Sequence, residues 1–115
     1  MPPKTDVVRL RHMKDATEDA LGYMKGRTRQ DLDADGILLR HAVIYCLLVV
    51  GEAANQVSPE GQAACPSLPW PLIVGMRNRL VHAYFDISLD RVWDTITDDL
   101  PHLLTELDRA LQDQA

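Results

Sequence analysis

Aromatic residues are scarce in this 115-residue chain, with one Phe, two Trp and three Tyr making up 5% of the sequence. The Leu, Ala, Val and Ile that take their place point to helix packing and away from an aromatic-rich sandwich or barrel. Cysteine is limited to Cys46 and Cys65, and neither belongs to a CxxC pair. That spacing excludes a paired-thiol redox motif. Cys46, inside an apolar run, reads as a small core residue. Seven Pro and six Gly are too few for a low-complexity chain. Positive charge is in deficit, with 12 Lys and Arg against 17 Asp and Glu, a formal net charge of −5. A protein coating nucleic acid over its whole surface is therefore excluded, but a small local anion site is not. No hydrophobic run is long. The most apolar, Ile37 to Val50, covers 14 residues and is broken by Arg40 and His41. A bilayer needs roughly 20, so this run is expected to be a buried helix and no membrane partner is expected. Met1 to Arg11 lacks the apolar stretch of a signal peptide, so a cytoplasmic, reducing location is expected. Length and an ordinary apolar share of 46% predict one domain over residues 1–115.

The charge is unevenly distributed. Residues 1–35 carry seven acids and seven bases, while residues 36–85 carry only Glu52 and Glu60 against Arg40, Arg77 and Arg79. Residues 86–115 hold eight acids against Arg91 and Arg109, a local net charge of −6. Nine of the twelve bases are Arg, whose planar, permanently charged fork suits phosphate.

Periodicity predicts an all-α bundle of four to five helices with no strand. The first spans residues 5–25, with Thr5 and Asp6 as caps, Val8, Met13, Ala16, Ala20 and Met24 on its stripe, and Gly26 as its stop. Asp31, Asp33 and Asp35 before Gly36 suggest a calcium loop. That loop needs a Glu about six residues past the Gly, where Ala42 stands, so the acids read as helix N-terminal charges. A long central helix is expected over residues 33–57. Near its end Glu52 either reaches solvent or pairs with a buried Arg. Ser58-Pro59 caps a short helix to Ala64, and Pro66, Pro69 and Pro71 stiffen the connector around Trp70. The next helix is expected over 71–84, with Leu72, Met76 and Leu80 on its stripe and Gly75 allowing close approach to another helix. Phe85 to Ser88 interrupts the pattern, and Asp86 or Ser88 caps the last helix. Its stripe is Val92, Ile96, Leu100, Leu103 or Leu104, Leu107 and Leu111, with a kink at Pro101.

The chemistry-bearing residues are concentrated in Arg77-Asn78-Arg79-Leu80-Val81-His82-Ala83-Tyr84. Arg can hold a scissile phosphate by paired, charge-assisted hydrogen bonds and stabilise the charge that builds on it. His can move the proton of a ribose 2′-hydroxyl or of a leaving oxygen near neutral pH. Asn can orient a phosphate or the imidazole. This set suits phosphoryl transfer from RNA without a metal or other cofactor. Arg77 and His82, five positions apart, lie about 140° around a helix and roughly 7.5 Å along it. A working site then needs a loosened helix end or a second copy of the motif across a two-fold interface. His12, His41 and His102 have no metal-ligand spacing. By spacing alone, R-x4-H is a weak signal, and the bland reading of solvated arginines and a helix-end histidine is the favoured one.

The segment Gly75 to Tyr84 resembles the R-x4-H-x-Y signature of HepT-like toxins in the HEPN superfamily. The likeness extends to Gly51-Glu52-Ala53-Ala54, Pro69-Trp70, Leu89 to Trp93 and Asp99-Leu100-Pro101. The resemblance implies a homodimeric HEPN bundle acting as a metal-independent endoribonuclease, the toxin of a type II toxin–antitoxin pair. Arg77 and His82 match its catalytic pair and Asn78 the polar residue that follows the Arg; Arg79, from its own chemistry, is read as a second substrate-binding charge. The implied partners are the RNA substrate and a nucleotidyltransferase antitoxin of the MntA type, which transfers AMP to the motif Tyr, here Tyr84. A second reading from the same residues is a non-catalytic partner of that nucleotidyltransferase, with the arginines as a phosphate clamp. A third is a purely structural helical dimer.

Overall fold

Leu10, Met13, Ala16, Ala20 and Met24 recur every three or four residues and form the buried face of the first helix, α1 (Lys4–Met24). The computed structural model describes residues 2–83 and 86–112. Val8, expected on this face, is 49% exposed, and Leu10 is the residue that enters the core. Asp6 is not the cap either. Pro3 precedes the helix, and the Asp6 carboxylate is buried in the first turn, accepting from the Ser58 backbone N–H at 3.0 Å and hydroxyl at 2.6 Å. Past Met24 the chain turns at Gly26, whose φ of 75° only glycine adopts freely.

The central helix starts later than its charge pattern suggested. Two short 3-10 turns, Arg29–Leu32 and Ala34–Gly36, precede α2 (Ile37–Gln56). The acids are used locally. Asp31 accepts from the Thr28 backbone N–H at 2.7 Å, and Asp33 pairs with Arg29 at 3.0 Å. The side chain of Asp35 lies outside the described residues. At 20 residues, α2 is long and apolar enough to cross a membrane by length and composition, which the 14-residue apolar run did not suggest. Val43, Leu47, Val50 and Ala54 are buried where α2 meets α1 on one side and the fourth helix on the other.

Ser58 accepts from the Gly61 N–H at 3.0 Å and caps the short α3 (Pro59–Ala64) as anticipated. The proline connector is pinned by Trp70, whose indole N–H donates to the Cys65 carbonyl at 3.0 Å. Next comes α4 (Trp70–His82), which buries Trp70, Ile73 and Leu80; Leu72, expected beside them, is 72% exposed.

Ser88 caps α5 (Leu89–Asp94), which runs into a π-helical turn at Thr95–Asp99 and then α6 (Leu100–Gln112). Pro101 therefore widens the helix just ahead of itself. Its ring crowds the carbonyl four residues back, that of Thr97, and it has no N–H to offer. The Leu100 N–H reaches instead to Thr95, five residues back. Val92, Ile96, Leu100, Leu103, Leu107 and Leu111 stay on one buried face through this turn. α6 packs on α1, giving an all-α HEPN-type helical bundle around α2.

Candidate active site on the fourth helix

Arg77 leaves α4 against α2 at Gly51. A Cβ built on Gly51 would lie 2.3 Å from the Arg77 Cβ and 2.9 Å from its Cγ. Glycine is thus what lets the two helices meet here. Gly75, expected to serve that purpose, does not. A Cβ there would meet only the Arg79 Nη1, at 3.6 Å, an ordinary contact with a flexible side-chain end.

Next to Gly51, Glu52 accepts from the Arg77 Nε–H. Glu52 combines the two alternatives in part: its side chain is 48% exposed, and it pairs with an Arg that is half-buried, at 26% exposure, where a buried one was expected. The Arg77 Nη1 donates to Asn78 Oδ1 at 2.9 Å. Two of the five guanidinium N–H groups are therefore engaged, and three remain for an incoming phosphate. Held on two sides, the guanidinium has less rotamer freedom to lose when it binds an anion.

The rest of the motif faces other directions. Asn78 and Arg79 are exposed and precede the exposed His82 by four and three residues, so the three share one side of α4. The helix stays regular through His82, with the Ala83 N–H donating to the Arg79 carbonyl at 2.9 Å. Arg77 and His82 share no hydrogen bond among the described residues, so within one chain the helix keeps them on different faces. Tyr84 lies outside the described residues, as does Phe85.

An exposed apolar stripe leads to this place. Leu38, His41, Tyr45, Leu48 and Glu52 follow one another along one line of α2, with Leu38 83% and Tyr45 68% exposed and Leu48 half-buried. Val81, one helical turn past Arg77, is also exposed. The Glu52–Arg77 pair is thus flanked by apolar surface that this chain alone does not cover.

Glu52 is the residue on which sequence reasoning stayed open. A lone Gly-Glu step directly after the apolar run that ends at Val50 was the available signal, since Gly there marks a close helix approach and the carboxylate beside it faces whatever approaches.

The chain is similar to known ribonucleases. Residues 13–110 match the family of HepT-like ribonucleases. A protein named as an RNase in Caldanaerobacter subterraneus subsp. tengcongensis is 31% identical over 95% of this chain and 96% of its own. A second, from Methanocaldococcus jannaschii, is 29% identical over 90% of this chain and 94% of its own. A protein named as a ribonuclease HepT in Thermococcus cleftensis is 36% identical over 54% of this chain and 56% of its own. No solved structure matches the chain. The family match spans most of the sequence, including both helices that meet at Arg77, and the chain belongs to the HepT-like ribonuclease family of HEPN proteins.

Proposed function

We propose that the protein is the toxin of a type II pair, a homodimeric endoribonuclease that works without a metal through Arg77 and His82. The observation that supports it most is the state of Arg77. Its guanidinium is oriented by Glu52 and Asn78, with three donors open, at the edge of an exposed apolar stripe. A second copy covering Leu38, Tyr45 and Val81 would place two such motifs across one cleft, which supplies an Arg77 and a His82 from different chains. In that cleft His82 accepts the 2′-hydroxyl proton, the 2′-oxygen attacks phosphorus, and the 5′-oxygen leaves with a proton. The products are a 2′,3′-cyclic phosphate and a 5′-hydroxyl. Arg77 neutralises the charge on the crowded phosphorus, with Asn78 and Arg79 holding the strand.

A nucleotidyltransferase of the MntA kind is the proposed partner. It would move the adenylyl group of ATP onto the hydroxyl of Tyr84, two residues past His82 in sequence, and release pyrophosphate. The added anion would compete for the arginines that hold RNA and so silence the nuclease.

The test uses the full chain with unstructured RNA and tRNA in the presence of EDTA. Cleavage to cyclic-phosphate ends is expected, falling roughly 100-fold or more in Arg77→Ala and His82→Ala while helical circular dichroism is unchanged. Full cleavage in a clean His82→Ala preparation rejects the mechanism. Tight binding to the nucleotidyltransferase with no cleavage at any concentration favours the non-catalytic reading. Sedimentation of Tyr45→Glu as a monomer, against a dimer for the parent, tests the interface.

A further inference from the structure

Beneath the last turn of α4 lies a cavity of about 260 Å³ that the motif does not account for. Its floor is apolar, formed by Leu47, Met76, Leu80 and Val92 from three helices. Its rim carries three charged side chains, Arg79, Asp86 and Arg91. None of the three has an ion-pair partner among the described residues, although opposite charges border the same space. Neither arginine therefore lies within ion-pair distance of the Asp86 carboxylate. The Asp86 N–H donates to the Ala83 carbonyl at 2.8 Å.

Resting on the ribonuclease reading, we infer that this cavity holds one unpaired guanine base of the RNA, next to the phosphate that is cut. Size is the first argument. Pockets for whole small molecules run from roughly 300 to 1,000 Å³, so this one takes a single planar ring system. The floor supplies the apolar faces on which an unstacked base rests, as single-stranded RNA recognition requires. Placement is the second. Arg79 and Ala83 line the cavity, and His82, three residues past Arg79 on the same side of α4, stands just outside it, so a base seated here brings its own phosphate towards Arg79 and His82. Arg91, which lines the same cavity from α5, is available to a second phosphate of the strand. The identity of the base follows from Asp86. A carboxylate offers two acceptors side by side, and guanine is the base whose pairing edge offers two adjacent donors, N1–H and the N2 amino group. Adenine and cytosine present one amino group beside an acceptor, and uracil a single N–H between two carbonyls. Asp86 is thus assigned as the specificity-determining residue.

The test measures binding of GMP, AMP, CMP and UMP to the full chain by calorimetry, then maps cuts in an unstructured RNA of mixed sequence. GMP is expected to bind roughly tenfold tighter than the other three, as a paired contact to a base edge warrants. In Asp86→Asn, which turns one acceptor into a donor, that preference falls to near unity. Circular dichroism and the thermal midpoint check that this exposed substitution leaves the fold intact. Cuts beside guanine in the parent, and a lower share of them in Asp86→Asn, agree with the pocket. Equal binding of all four nucleotides, or a GMP preference that survives Asp86→Asn, overturns it. GMP preference without RNA cleavage keeps the pocket and defeats the ribonuclease reading. Cleavage with no base preference does the reverse.

Discussion

Arg77 on α4 and Gly51 on α2 meet so closely that a single added carbon would put two Cβ atoms 2.3 Å apart. The residue after that glycine, Glu52, accepts from the Arg77 Nε–H. Two consecutive positions on one helix thus clear the space for Arg77 and then fix its direction. The motif arginine is as much a product of α2 as of its own helix.

Gly51→Ala therefore pushes the helices apart where the backbone cannot give. The expected cost is about 1–3 kcal/mol of stability, typical of overpacking, together with loss of RNA cleavage. Gly75→Ala is the contrasting case. Its added methyl meets only the mobile end of Arg79, and removing a glycine from a helix interior is expected to gain up to about 1 kcal/mol. Urea titration of both variants checks the sign. Equal destabilisation by the two would show that the close approach has been misplaced.

Glu52 acts through Arg77, and its removal is expected to affect catalysis more than folding. A half-exposed ion pair contributes about 0–1 kcal/mol, so Glu52→Ala should unfold at nearly the parent urea concentration. Its kcat should fall roughly tenfold while KM changes little, because a misdirected guanidinium binds the ground state nearly as well as it did before. Glu52→Gln keeps an oxygen that accepts from Nε–H and is expected to recover much of that loss. If Gln is as poor as Ala, the negative charge matters and not the hydrogen bond.

Most of the architecture was legible because its cause is local. The stripe from Val92 to Leu111 stays buried, Ser58-Pro59 opens a helix, and Gly26 ends one. What failed was decided by distant partners. Asp6 has the composition of a cap, but Ser58, 52 residues away, takes its carboxylate into the core. Leu72 and Val8 lie on plausible apolar stripes, yet the helices they would pack against lie on other sides. Of two glycines, only the contact across α2 and α4 separates the one that is needed from the one that is not. The candidate site divides the same way. Its residue types were readable from Arg77 to His82, whereas the hold on Arg77 and the cavity beside Arg79 belong to α2 and α5.

The Asp6–Ser58 contact is expected to couple the start of α1 to the entry of α3. Asp6→Ala leaves the Ser58 backbone N–H without its acceptor, a loss of about 1–3 kcal/mol. Ser58→Ala removes both the cap of α3 and a donor to Asp6, with a similar cost. Since each substitution breaks the same contact, the double variant should lose clearly less than the two single losses combined. Additive losses in a urea double-mutant cycle would mean that the two ends are held independently.

Cys46 sets an alkaline limit on stability. Burial on α2, reinforced by the negative charge of Asp19, pushes its thiol above the ordinary value. The folded state therefore binds this proton more tightly than the unfolded chain, whose thiol titrates near about 8.5. Below that pH the thiol is protonated in both states and its contribution is fully present. As pH rises past it, the unfolded chain releases the proton first, and stability declines until the folded thiol also ionises. Urea midpoints at pH 7.5 and pH 10 should therefore fall further for the parent than for Cys46→Ala. Comparing the two proteins cancels the lysines and tyrosines that titrate in both. A thiol-specific reagent gives the second check: at 5% exposure, Cys46 should react only as fast as the protein opens. Reaction at the rate of a solvent-exposed thiol in the folded protein would place Cys46 outside the core.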